Sequence, residues 1–165
     1  MYARILVPVD ASPTAEAGVA EALRIARACG ARVLFVHAVD QLPHLPEAVA
    51  YEQAPEDVAS AAVERGLDLL ERLREQAQEA GVAVDAELVE GLGRRTHAFV
   101  LERAADWRAD LVVLGTHGRR GIERWIAGSV AEQVVRHADV PVLLVRCPSQ
   151  EPAGEGLQSI AAAIA

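Results

Sequence analysis

The sequence predicts an α/β domain built on an open, five-stranded parallel sheet with helices on both faces. Three observations lead there. Short apolar blocks rich in β-branched residues recur along the chain, beginning with Ile5, Leu6, Val7 and Val9. Helix-like amphipathic segments separate them, and this alternation is the pattern of parallel strands joined by crossover helices. The length, 165 residues, suits one domain with one continuous apolar interior.

The elements follow in order. Ala3 to Val9 reads as a strand buried on both faces. Ser12 is placed to cap a helix, with Pro13 in its first turn. Val19, Ala22, Leu23 and Ala26 keep helical spacing up to Gly30, which predicts a helix over about 13–28. Ala31 to Val39 is the second strand. Asp40 to Pro55 holds Pro43, Pro46 and Pro55 and reads as a long connection. Glu56 to Ala80 is a long amphipathic helix with Ala62, Leu69, Leu73 and Ala77 in one stripe, ended by Gly81. Val82 to Val89 alternates apolar and polar residues, as a strand near a sheet edge does. Thr96 to Trp107 is a third helix, carrying Phe99, Val100, Arg103 and Trp107 on adjoining positions. Asp110 to Leu114 is the fourth strand, Ser129 to His137 the fourth helix and Val140 to Val145 the last strand. The expected domain therefore spans 1–147, with a Pro- and Gly-rich linker and a tail over 148–165.

Composition narrows the function. Sixteen Lys and Arg against 24 Asp and Glu give a formal net charge of −8, which argues against following a nucleic-acid backbone. The two cysteines, Cys29 and Cys147, have neither a CxxC spacing nor the density of a disulfide scaffold, so a reducing cytoplasm is expected. Neither a targeting signal nor a membrane span is read from the sequence.

In open parallel sheets, ligands bind beyond the carboxyl ends of the strands. Three places qualify: Pro8, Val9 and Asp10 after strand one; His37, Ala38 and Val39 at the end of strand two; and the segment from Gly115 onward. The last carries the strongest local signal. Gly115 to Gly128 contains four glycines, and Gly115-Thr116-His117-Gly118 is followed nine residues later by Gly128-Ser129, at a strand-to-helix transition. Glycines let backbone N–H groups approach phosphate oxygens, and a helix N-terminus adds aligned donors and partial positive charge. Ser129 adds a hydroxyl; Arg119 and Arg120 add charge.

This G-x2-G-x9-G-S pattern resembles the universal stress protein family, specifically its ATP-binding branch. Ile5 to Asp10 with Ser12 resembles the family's opening strand and its acidic terminus, and Val140 to Val145 resembles its closing strand. The likeness covers about residues 2–146. It implies an adenine nucleotide alpha-hydrolase-like, Rossmann-like sheet. Pro8 and Val9 would line the adenine pocket, Asp10 would contact the ribose or adenosine end, and Ala38 would offer its backbone to the base. Gly115, Gly118, Arg119, Gly128, Ser129 and Val130 would hold ribose and phosphates. The implied ligand is ATP, with magnesium as a candidate companion, although the residues nominate no metal site. A homodimer through Val140 to Val145 is implied as well, because that strand falls at the sheet edge in the family's order. Arg95 departs from the family, many of whose members have proline there.

Plainer roles exist for several of these residues. The glycines of the first pair could simply make a turn, Asp10 could cap the first helix, and the arginine pair could be solvated. His37 and His117 are each a lone histidine and receive no catalytic role. Other nucleotide motifs fit poorly. Gly91 to Thr96 faintly resembles the dinucleotide fingerprint but follows the wrong strand and lacks its last glycine. A Walker A loop is absent and the chain has no lysine to supply its ammonium. The serine-glycine-glycine loop of the pyrophosphate-splitting enzymes is missing too. Asp10, His117 and Glu123 are the candidates if hydrolysis or phosphotransfer occurs. The expectation is thus a nucleotide-responsive stress or regulatory module with slow hydrolysis at most, against the alternatives of a slow ATPase or phosphotransferase and of a nucleotide-independent interaction protein.

Overall fold

The computed structural model describes residues 1–40, 55–91, 96–116 and 130–147. Along these residues run β1 (Arg4–Pro8), α1 (Pro13–Cys29), β2 (Arg32–Asp40), α2 (Pro55–Glu79), β3 (Val84–Gly91), α3 (Thr96–Asp106), β4 (Leu111–Thr116), α4 (Val130–His137) and β5 (Val142–Arg146). The connection within 41–54, residues 92–95 including Arg95, His117 to Ser129 and the residues from Pro148 onward lie outside the described residues.

All five strands pair in parallel, in the order β3-β2-β1-β4-β5. Because successive strand residues point to opposite faces, the near-continuous apolar runs of β1, β2 and β4 supply two cores at once. Ile5, Val7, Val33, Phe35, Leu111 and Val113 pack against Val19 and Leu23 of α1 and Leu69 and Leu73 of α2. Leu6, Leu34, Val36, Val112 and Leu114 pack on the other face against Val100 and Ala104 of α3 and Val134 of α4. Phe35 is fully buried, and burial of a side chain of this size contributes about 1.5–3 kcal/mol.

β3 lies at one edge, as its alternation predicts: Val84, Ala86 and Leu88 pack on the first core. Asp85 and Glu87 are paired instead, Asp85 with Arg32 at 3.1 Å and Glu87 with Arg103 of α3 at 2.6 Å. β3 begins at Val84 and not at the expected Val82, because the Val82 N–H is already given to the Ala77 carbonyl at 2.9 Å in closing α2. β5 begins after Pro141, at Val142, and runs to Arg146.

Ser12 caps α1 as expected, its side chain accepting the Ala15 N–H. Three helices then end in the same way. Ala31 N–H reaches Ala26 O at 2.9 Å, Val82 N–H reaches Ala77 O at 2.9 Å and Ala109 N–H reaches Ala104 O at 2.8 Å. Each ending needs a left-handed residue. Gly30 and Gly81 supply it at φ 67° and 71°, but at the end of α3 Arg108 is held there at φ 53°. After this turn the Asp110 carboxylate accepts the N–H groups of Ala3 at 2.8 Å and Arg4 at 3.0 Å, tying the start of β4 to the start of β1.

Candidate functional site

A cleft of about 320 Å³ opens at the carboxyl ends of β1, β2 and β4. The strand order reverses between β1 and β4, so this is the topological switch point at which an open parallel sheet leaves a crevice. Pro8, Val9 and Asp10 come from the end of β1, Val36 and Ala38 from β2, and Leu114 and Gly115 from β4. The remaining walls are the starts of three helices: Ser12, Thr14 and Ala15 at α1; Thr96, Phe99 and Val100 at α3; Val130 and Ala131 at α4. Helix starts carry unpaired N–H groups and partial positive charge, so three of them around one crevice favour an anionic or electron-rich ligand.

The polar side of the cleft is held by its own hydrogen bonds. Asp10 Oδ1 accepts the Ser12 N–H at 2.9 Å and also the Ser12 hydroxyl. Ser12 Oγ in turn accepts the Ala15 N–H at 3.2 Å. With the Ser12 proton committed to Asp10, the hydroxyl of Thr14, 2.8 Å away, donates to Ser12. The helix cap is therefore Ser12, and Asp10 stands one step behind it, exposed at the mouth.

Gly115 has a packing reason to be glycine. A Cβ there would lie 1.7 Å from the Thr14 carbonyl oxygen and 2.9 Å from the Ala15 nitrogen. The same contact, seen from α1, leaves only 2.9 Å between a Cβ on Gly18 and the Gly115 nitrogen. The first glycine of the motif thus lets α1 settle directly on β4 and closes that end of the cleft.

Of the residues singled out in the sequence, Pro8, Val9, Asp10, Ala38, Gly115 and Val130 are brought together around the cleft. Gly118, Arg119, Gly128 and Ser129 lie outside the described residues, as do His117 and Glu123. His37 does not line the cleft; its Nδ1 is 2.8 Å from the Val9 carbonyl oxygen. Sequence reasoning did not assign Ser12, Thr14, Ala15, Val36, Thr96, Phe99, Val100, Leu114 or Ala131 to the cleft. Val36 and Leu114 carried a findable signal, since they precede Ala38 and Gly115 on strands already chosen. Thr96, Phe99 and Ala131 become neighbours of β1 only when α3 and α4 pack on the sheet. Among the described residues no group of His, Cys, Asp or Glu is arranged to hold a metal, and none of the helices there is long and apolar enough to cross a membrane.

The profile of the universal stress protein family matches residues 1–146, which is most of the chain. The chain belongs to the universal stress protein family. A universal stress protein of Methanocaldococcus jannaschii is 33% identical over 151 residues, covering 92% of this chain and 86% of its own. Among solved structures, a universal stress protein family member from Burkholderia pseudomallei superposes with a TM-score of 0.69 at 30% identity, over 87% of this chain and 96% of its own. Two further universal stress protein structures contain adenine nucleotides. One is a complex with cAMP, with a TM-score of 0.62 at 26% identity over 89% of this chain and 98% of its own. The other is the Archaeoglobus fulgidus protein in complex with dAMP, with a TM-score of 0.60 at 25% identity over 87% and 98%.

Proposed function

We propose that this universal stress protein binds an adenine nucleotide, ATP, in the cleft at the β1/β4 switch point and acts as a nucleotide-responsive stress or regulatory module in the cytoplasm. The observation that carries the proposal is the meeting of four separate stretches, Pro8–Asp10, Ala38, Gly115 and Val130, around one crevice bordered by three helix starts. Its volume lies at the lower end of the roughly 300–1,000 Å³ usual for small-molecule sites. Pro8, Val36, Phe99 and Val100 give it apolar walls suited to a flat aromatic base. Asp10, already oriented by Ser12, is the acceptor for ribose hydroxyls, and Val130 at the start of α4 belongs to the phosphate end. Gly118, Arg119, Gly128 and Ser129, in the segment joining β4 to α4, complete the phosphate cradle in this proposal. The cAMP and dAMP complexes of other family members support an adenine ligand. Magnesium would accompany the phosphates as a counter-ion carried by the nucleotide.

Strand geometry supports the role of Ala38. Arg32 N–H bonds Ala3 O and Val9 N–H bonds Val36 O, so even-numbered residues of β2 turn their backbone groups toward β1. β1 ends at Pro8, opposite Val36, whereas β2 continues. The N–H and C=O of Ala38 therefore face the space beyond β1, as a donor and acceptor pair matching N1 and the 6-amino group of adenine.

Binding without appreciable turnover is the favoured form, because Asp10 is engaged by Ser12 and the chain has no Walker lysine. Native mass spectrometry of freshly purified protein is expected to retain a mass matching ATP, and calorimetry to give saturable ATP binding. Absence of binding for every adenine nucleotide would refute the proposal. Phosphate release at ~1 per second or faster, lost in Asp10→Asn, would establish an enzyme instead.

A further inference from the structure

We propose that His37 is a positioning residue for base selectivity: by holding the Val9 carbonyl toward the α2 side of the sheet it keeps the Ala38 N–H available to the base. The inference rests on the adenine-site assignment above and goes beyond it by naming a residue that does not touch the ligand.

In a parallel pair the ladder advances two residues at a time. With Val9 N–H given to Val36 O at 2.9 Å, the next bond in register would run from Ala38 N–H to Val9 O. Among the described residues that bond is not made. The Val9 carbonyl instead meets His37 Nδ1 at 2.8 Å. A carbonyl oxygen only accepts, so Nδ1 carries the proton and donates. His37 reaches this oxygen from the α2 side of β2, the side on which Phe35 and Val33 also pack, while Val36 and Ala38 line the cleft. The imidazole thus ends the ladder one step early, at the position where β2 overhangs β1.

Gly66, in the interior of α2, makes room for the ring. A Cβ at that position would lie 2.7 Å from His37 Cδ2, 3.2 Å from its Nε2 and 2.7 Å from Leu88 Cδ1, so ring and leucine share the space. Glycine inside a helix is otherwise unfavourable, so its presence in this 25-residue helix fits the need to seat the ring against Val9. His37 and Gly66 therefore form one device, a histidine clamp and the slot that holds it.

The test compares ATP with inosine triphosphate, whose base reverses both the donor and the acceptor facing Ala38. Wild type is expected to prefer ATP by roughly 10- to 100-fold, since a site built to pair with a polar edge rejects the mismatched one. His37→Leu leaves the Val9 carbonyl to the Ala38 N–H. ATP affinity should fall about tenfold, inosine triphosphate affinity should change by less than about threefold, and the preference should collapse. His37→Asn, whose side-chain amide can donate from near the Nδ1 position, should restore it. Gly66→Ala, which displaces the ring, should reproduce His37→Leu. Hydrogen exchange of the Ala38 amide in nucleotide-free protein should be slower in His37→Leu than in wild type.

A folded His37→Leu protein that keeps its preference, or loses both nucleotides equally, would overturn the role of His37 while leaving the adenine site standing. Unchanged Ala38 exchange would also overturn it, with or without nucleotide. Wild type that binds no ATP would instead remove the adenine-site assignment on which the inference depends.

Discussion

Gly115→Ala is expected to damage both stability and nucleotide binding, for a single steric reason. The added Cβ would sit 1.7 Å from the Thr14 carbonyl oxygen and 2.3 Å from its carbon. To reach even a 3.0 Å contact, the first turn of α1 must retreat from β4 by about 1.3 Å. Adding a methyl to a packed interior costs about 1–3 kcal/mol, and here the obstacle is backbone on both sides, which puts the cost at about 3 kcal/mol or above. For a chain of 165 residues, that lowers the melting midpoint by roughly 6–12 °C. The retreating turn carries Ser12, Thr14 and Ala15, one wall of the cleft, so ATP affinity should fall at least about tenfold, or about 1.4 kcal/mol. Gly30→Ala is the matched control. It meets nothing within 4 Å but must adopt φ +67°, so it should cost about 1–2 kcal/mol and leave ATP affinity unchanged. Differential scanning calorimetry and titration calorimetry measure the two effects. A Gly115→Ala protein with wild-type melting and wild-type affinity would refute the close-approach reasoning.

Further outcomes are expected. Arg108→Gly should stabilise the protein by about 0.5–1 kcal/mol, read by chemical denaturation, because glycine accepts the left-handed turn after α3 without the Cβ cost, less the freedom it adds to the unfolded chain. Asp110→Ala removes the acceptor of the Ala3 and Arg4 N–H groups and should cost about 1–3 kcal/mol in the same assay. Gly118→Val should abolish ATP binding while circular dichroism stays native, and Ser129→Ala should weaken binding by only about 0.5–1.5 kcal/mol, or up to about 3 if its hydroxyl bonds a charged phosphate. The exposed side of β5, an edge strand whose Val142 to Val145 are only half-buried, should pair with a second copy; sedimentation showing a monomer at micromolar concentration, with or without nucleotide, would contradict this dimer.

The order and type of the elements were legible because they are local properties. An apolar run buried on both faces must be a central strand, and a 3.6-residue apolar stripe must be a helix. Ser12, Gly30 and Gly81 announce their helix ends through chemistry that works at any such position. The end of α3 carries no such mark: Arg108 takes a conformation its side chain resists because Ala109 must return to Ala104 and Asp110 must reach β1. Part of the cleft lining was equally legible, since the residues following a buried parallel strand lie where crevices form. The rest depends on distance in the chain. Thr96, Phe99 and Ala131 join Pro8 around the cleft only through the packing of α3 and α4 on the sheet. The double role of Gly115 follows from the Thr14 backbone pressing against it, and the use of His37 from a carbonyl 28 residues away. By itself the sequence determined which segments become strands and helices and where a glycine can turn; only the tertiary structure decided what each residue touches, because contacts between residues far apart in the chain are set by the sheet order and the packing of helices upon it.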